Sequence, residues 1–230
     1  MSRWTRGELE VRWLNGGVWL QHGDAALLLD APPGCELALS EADRGALRAV
    51  ALSSGHVRAV GGLVGLLCAL EPARRADLAL ELHTLWGEER GPMLAEAWVR
   101  GWTERFPITL DVDSPGAAFE VGPFHVEPLA VPRGEPRWLP EATVESVLAQ
   151  AFRVDVDGVR VAYLPGCAPG TSAARVLEGV DLAIVEVGVV PWPRTERRWR
   201  LSALEAATLI PEGTDAWLVG DDGRILGAES

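Results

Sequence analysis

The segment Ser53-Ser54-Gly55-His56-Val57-Arg58 sets two hydroxyls, an imidazole and a guanidinium on one polar stretch, directly after the apolar run Ala49–Leu52. Each type carries chemistry. A hydroxyl attacks when a base takes its proton, an imidazole serves as base, acid or metal ligand, and a guanidinium offers a rigid fork of donors to phosphate or carboxylate. The spacing argues against a Ser–His nucleophile, because adjacent loop side chains rarely reach hydrogen-bond geometry and no orienting third group follows. Nor does His56 open a zinc motif by itself, since no second His lies within four residues. His22, His83 and His125 fall on separate expected strands or turns.

The elements that must position this stretch follow from pattern. Glu8–Leu14 alternates apolar and polar residues, Asn15-Gly16-Gly17 is a hairpin signal, and Val18–Gln21 and Ala25–Asp30 resume strand character. Ser40 before Glu41 and Asp43 predicts the cap of a short helix to Arg48, followed by a compact strand over Ala49–Ser53. After the polar loop Ser54–Arg58, Ala59–Leu70 reads as a buried helix, Asp77–His83 as an alternating strand and Glu88–Trp102 as a helix. Strands are expected at Ile108–Val112, Phe119–Val121, Phe124–Val131, Ser146–Val156 and Val159–Tyr163, the last two joined by Asp157-Gly158. A helix over Gly170–Glu178, a strand over Asp181–Val187, a helix over Ser202–Ile210 and a hairpin around Asp222-Gly223 complete the chain. Strands then helix, twice over, predict an α/β fold: an αββα sandwich of two mixed β-sheets flanked by helices. No repeat or linker interrupts it, so one domain over residues 1–230 is expected.

Composition narrows the function classes. With 48% hydrophobic and 23% charged residues the chain reads as globular. A net charge of −12 argues against a nucleic-acid partner, which needs a basic surface to displace counterions. The longest apolar runs, such as Leu63–Leu70, are too short to span a bilayer, and Met1–Gly7 carries two Arg without an apolar stretch after them, so a cytoplasmic protein without a membrane partner is expected. Cys35, Cys68 and Cys167, odd in number and widely spaced, predict buried free thiols.

Ala49 to Leu63, Ala-Val-Ala-Leu-Ser-Ser-Gly-His-Val-Arg-Ala-Val-Gly-Gly-Leu, resembles the signature segment of metallo-β-lactamase-fold hydrolases, in which a strand enters T-H-x-H-x-D-H and then Gly-Gly and Leu. In that register Ser54 takes the first His place, His56 the second, Arg58 the Asp and Ala59 the third His. Other stretches agree. Ala25–Asp30 with Ala31-Pro32-Pro33-Gly34 is similar to the family's strand ending in Asp before a turn, and Phe119–Leu129 to the strand pair that leads to a ligand His, a place held near Arg133. Val159–Cys167 resembles the strand that delivers a bridging Asp, with Gly166 at that place, and Pro211–Leu226 the closing segment. The details look closest to the branch of the pyrroloquinoline-quinone biosynthesis protein and the phosphonate-pathway phosphodiesterase.

The resemblance implies a fold kept and a metal site dismantled. Two-metal hydrolysis needs several ligands converging on ions about 3.5–4 Å apart; Ser, Ala and Gly do not supply them, and the cation of Arg repels one. No metal or other cofactor is expected. Asp30 stands where the family keeps an acid that organises the ligand loop, and reads either as an anchor for Arg58 or a substrate group, or as an Asx-turn residue at the Gly34 loop. Arg58, Arg133 and Arg200 either converge on the emptied pocket as an anion site or pair with Asp30, Asp221 or Asp222. Trp192 and Trp199, in the Pro-flanked basic run to Arg200, suit a protein partner or the core edge. The expected function is a non-catalytic protein that binds a partner, with a possible small anionic ligand at Asp30, Ser54, His56, Arg58, Arg133 and Arg200. The alternatives are a metal-independent hydrolase or phosphodiesterase using His56 with Arg58 and Arg133, and an accessory or carrier protein of cofactor biosynthesis.

Overall fold

A computed structural model describes residues 2–71, 79–85, 96, 102, 105–113, 117–132, 148–167, 171–188, 201–220 and 222–226. The chain forms two compact units, Met1–Val126 and Glu127–Ser230. The expected helix Glu88–Trp102 falls outside the described residues apart from Glu96 and Trp102.

The first unit is built on a seven-stranded mixed sheet of order β1-β2-β3-β4-β5-β6-β7. Its strands are β1 Arg3–Arg6, β2 Leu9–Leu14, β3 Gly17–His22, β4 Ala25–Leu29, β5 Leu47–Ala51, β6 Leu80–Leu85 and β7 Ile108–Asp113. β1 to β4 form an antiparallel meander. From β4 to β7 neighbours run parallel. The β2–β3 turn has positive φ at both Asn15 (55°) and Gly16 (118°), the pair of left-handed residues that matches strand twist. β4 is buried at every position, as its run of Ala and Leu requires of a strand inside the sheet. β1, four residues with three charged or polar and mostly exposed, has no apolar alternation to betray it and makes a blunted edge.

Helix α1 (Glu41–Ala46) begins at a complete capping box, Ser40 accepting from the Asp43 N–H and Asp43 from the Ser40 N–H. It stops two residues before the expected Arg48, because β5 starts at Leu47 to pair with Ala26. The single helix expected over Ala59–Leu70 is two, α2 (Val57–Val60) and α3 (Leu63–Leu70), parted by Gly61-Gly62. Leu63, Leu66, Leu67 and Leu70 of α3 pack with Trp19, Leu28, Val50 and Leu82 of the sheet in one buried cluster. β6 is not the alternating strand expected: Leu82, His83 and Thr84 are buried in succession, as in a strand covered on both faces.

The second unit holds most of a six-stranded sheet of order β13-β12-β11-β10-β9-β8. Its strands are β8 Phe119–Val121, β9 Phe124–Pro132, β10 Leu148–Val156, β11 Val159–Leu164, β12 Leu182–Glu186 and β13 Asp215–Val219. The β10–β11 hairpin turns through Asp157 (φ 51°) and Gly158 (φ 78°), while β11, β12 and β13 run parallel. Helices α4 (Thr171–Leu177) and α5 (Ala203–Leu209) accompany them, with Ala173, Val176, Leu177 and Ala206 in one cluster with Ala162, Leu164, Ala183 and Val185. No described helix is long and apolar enough to cross a membrane.

One ion pair ties the meander to α1. Arg12 of β2 meets Asp43 at 2.5 and 3.2 Å, both side chains little exposed (13% and 11%), while its guanidinium lies 5.1 Å over Trp19. Burial alone would raise the Asp43 pKa, but Arg12 and the two Ser40 donors outweigh it and hold the carboxyl below its usual value. A depressed carboxylate stabilises the fold above its unfolded pKa and loses that contribution as pH falls through the folded value. We expect Asp43→Ala to cost about 2 kcal/mol near neutrality, from the lost cap and the lost ion pair, with Arg12 keeping Glu10 at 3.3 Å. Urea melts at falling pH should show the gap from wild type closing below about pH 4.

Candidate functional site

In open α/β sheets, ligand sites form beyond the C-terminal ends of parallel strands, and β4 and β5 of the first unit end at the residues singled out by type. Asp30 directly follows β4 with φ 63°, a left-handed conformation that Asp accepts more readily than most residues. Its N–H donates to the Ala51 carbonyl at 2.8 Å. Its buried carboxylate receives the Ser53 N–H at 2.6 Å and the Ser53 hydroxyl at 2.7 Å. Such bonds to an ionised acceptor are about twice as strong as neutral ones, so Asp30 fixes the point at which β5 releases the chain.

Next the two loops close on each other. Ala31 donates to the Ala59 carbonyl at 2.6 Å and Gly62 to the Ala31 carbonyl at 2.8 Å. A Cβ on Gly62 would lie 2.0 Å from the Pro32 carbonyl oxygen, so this approach is open to glycine alone. Within the loop so held, Ser54 is buried and its hydroxyl accepts the His56 N–H at 3.4 Å. His56 is exposed and caps α2, its Nδ1 accepting the Arg58 N–H at 3.2 Å. That bond puts the proton of a neutral His56 on Nε2. Arg58 is half-exposed and Ala59 buried. The structure thus gathers Asp30, Ser54, His56 and Arg58 on one short stretch of the first unit. Arg133, Trp192, Trp199, Arg200 and Asp221 lie outside the described residues.

In the second unit Gly166, where the resemblance would put a bridging acid, donates its N–H to Glu186 at 3.1 Å, and the Tyr163 hydroxyl donates to the same carboxylate at 3.2 Å. Glu186 is not among the residues singled out by type and spacing. Its signal was a carboxylate closing a strand whose other four residues, Leu182 to Val185, are apolar and buried. Cys167 is buried, and desolvation, with the Glu186 charge adding to it, pushes its thiol to about 12. Cys35 is raised to about 12 by burial and by Glu36. Cys68 is exposed, contrary to the expectation of three buried thiols, because it falls on the outer side of α3.

The remaining histidines are spoken for separately. His83 is buried, stacks on Phe119 at 3.8 Å and 6°, and has Nε2 3.4 Å from Glu81. His125 contacts Glu120 at 2.5 Å, and His22 stands 4.0 Å from Glu8. Among the described residues no three His, Cys, Asp or Glu gather as a metal-holding group. The donor set of the first unit's loop does not fit a metal centre: Ser54 and the Nδ1 of His56 are engaged by backbone N–H groups, Arg58 is a cation, and Ala59 offers no donor.

The chain superposes on the metallo-β-lactamase-fold protein YhfI of Bacillus subtilis with a TM-score of 0.65 at 18% identity, over 89% of this chain and 76% of that one. The short form of human tRNase Z gives 0.66 at 15%, over 93% and 92%. A diphosphatase of the PhnP family gives 0.65 at 16%, over 90% and 72%. At these identities the likeness is one of fold. The sequence model of the beta-lactamase superfamily domain matches residues 26–216, and the chain belongs to that family. A search of curated proteins gave no match.

Asp30→Ala strands two buried donors, and we expect it to cost about 2–4 kcal/mol in chemical denaturation, with faster hydrogen exchange confined to the Ser53–Arg58 amides. Gly62→Ala drives a methyl into the Pro32 carbonyl and should lower stability by about 3 kcal/mol in the same measurement.

Proposed function

We propose that this chain is a non-catalytic member of its family that acts by binding a partner through the face that carries the altered ligand loop. One observation carries the reading: the one ligand-type side chain kept in the loop, His56, spends its Nδ1 on capping α2. Nδ1 spends its lone pair on the Arg58 N–H and Nε2 of the neutral ring carries the hydrogen, so neither nitrogen offers a lone pair to a metal or a proton. The intact frame around it, with the Asp30 clamp and the close approach at Gly62, supports a loop kept for its shape. The exposed His56 beside the half-exposed Arg58 gives this face a cationic group suited to an acidic partner surface or a small anion.

The alternative, metal-independent hydrolysis with His56 as base, is separated from this by substitution. Asn supplies a capping acceptor without an imidazole. We expect His56→Asn to stay within about 0.5 kcal/mol of wild type and His56→Ala to lose about 1 kcal/mol, neither changing turnover of a phosphodiester or lactone probe above background. A His56→Asn variant that abolishes a measurable wild-type activity would overturn the proposal. So would two equivalents of zinc, manganese or iron in protein purified without chelator. Trp192→Ala and Trp199→Ala test whether the Pro-flanked basic run joins the binding face, by loss of whatever wild type captures.

A further inference from the structure

Asn15 is the single asparagine among 230 residues, and it stands exposed at the tip of the β2–β3 turn, directly before Gly16. The asparagine side chain is a thermolabile amide. Its carbonyl carbon is open to attack by the backbone nitrogen of the next residue, and the attack is least hindered where that residue has no Cβ. Gly16 meets that condition.

The turn also offers a route to the attacking geometry. Asn15 has φ 55° and Gly16 φ 118°, the pair of left-handed residues of one favoured two-residue hairpin turn. The other favoured turn keeps a positive φ at its first position and differs by rotation of the middle peptide, which takes ψ there to about −120°. That rotation swings the Gly16 nitrogen toward the Asn15 side chain, and glycine accepts the new backbone angles at little cost. Leu14 and Gly17, paired across the turn, are linked by two residues in either form.

Behind the turn stands the strand exit that holds the Ser53–Arg58 loop. A Cβ on Gly17 would lie 2.6 Å from the Asp30 carbonyl oxygen and 3.0 Å from Pro32 Cδ, and one on Gly16 would lie 3.4 Å from Pro32 Cβ. The carbonyl of the same Pro32 is the group pressed against Gly62. A change of length in the turn therefore bears on Pro32, and through it on Gly62.

We propose that Asn15 is a self-modifying site whose conversion loosens the Ser53–Arg58 loop. The Gly16 nitrogen bonds to the side-chain carbonyl carbon of Asn15 and gives up its hydrogen as ammonia leaves, which closes a five-membered imide. Water then opens the ring at either carbonyl to give aspartate or isoaspartate, and no oxidant, reductant or cofactor takes part. In isoaspartate the main chain runs through the side-chain methylene, so the link from Leu14 to Gly17 gains one atom. That atom displaces Pro32, and the bonds from Ala31 N–H to the Ala59 carbonyl and from Gly62 N–H to the Ala31 carbonyl weaken. The inference does not rest on what the loop binds.

Incubation of the full chain in mildly alkaline buffer, folded and in urea, followed by peptide mass mapping and hydrogen exchange, tests it. The expected result is accumulation, in the folded chain, of peptides in which the Asn15 NH2 is replaced by OH, with isoaspartate among them. The Ala31, Ser53 and Gly62 amides of the converted fraction should exchange several-fold faster than in fresh protein. Asn15→Gly accepts the positive φ and has no amide to lose, so its exchange should not change over the same incubation. Absence of conversion in the folded chain overturns the inference. So does a converted fraction whose three amides exchange as in fresh protein, or an Asn15→Gly chain that loosens on the same schedule. Metal content and probe turnover, on which the non-catalytic reading stands, are separate measurements on fresh protein.

Discussion

Asp30 is 3% exposed, and a charge so placed is tolerable because Ser53 turns both its amide and its hydroxyl onto it. Those bonds join the ends of two parallel strands separated by 23 positions in sequence. Everything after β5 inherits its starting direction from them. With Ser53 fixed, Ala31 can reach the Ala59 carbonyl and Gly62 the Ala31 carbonyl, and α3 enters the core with its leucines toward the sheet. The left-handed backbone at Asp30 is part of the same constraint, since that conformation turns the chain out of β4 while its N–H still holds β5.

A loop held so firmly keeps its shape when its side chains change chemistry. Ser54, His56, Arg58 and Ala59 stand in the frame of a metal-ligand segment, and the frame owes nothing to what a metal would supply. Its holding groups are backbone amides and carbonyls, the Ser53 hydroxyl, the buried Asp30 and the close approach at Gly62, none of them a side chain at a ligand position. In the second unit Glu186 likewise grips the backbone of Gly166 and the Tyr163 hydroxyl, so the turn there is fixed by a residue other than the glycine at its tip. In both units the groups that hold the turn are not the side chains that the resemblance places at ligand positions.

What could be read from sequence follows the range of the interactions involved. Asn15-Gly16 and Asp157-Gly158 announce their turns because the constraint, positive φ at neighbouring residues, is local. The Ser40–Asp43 capping box is equally local, and the α1 start was legible for that reason. The end of α1 was not, since it is set by pairing of Leu47 with Ala26, a partner far along the chain. The split of the apolar stretch into α2 and α3 likewise depends on Pro32 pressing against Gly62, which no periodicity in residues 59–70 records. In the site, residue types gave Asp30, Ser54, His56 and Arg58. The direction of the His56 ring and the grip of Glu186 are facts of packing, visible only once strands are side by side.

The three thiols show what burial does to reactivity within one chain. Cys35 and Cys167 are enclosed and raised to about 12, so neither carries appreciable thiolate at neutral pH, and the thiolate is the species that reacts. Cys68 alone opens to solvent. Mild alkylation therefore addresses a single sulfur, and a fluorophore or spin label attached there reports from the outer side of α3 without any cysteine having to be removed.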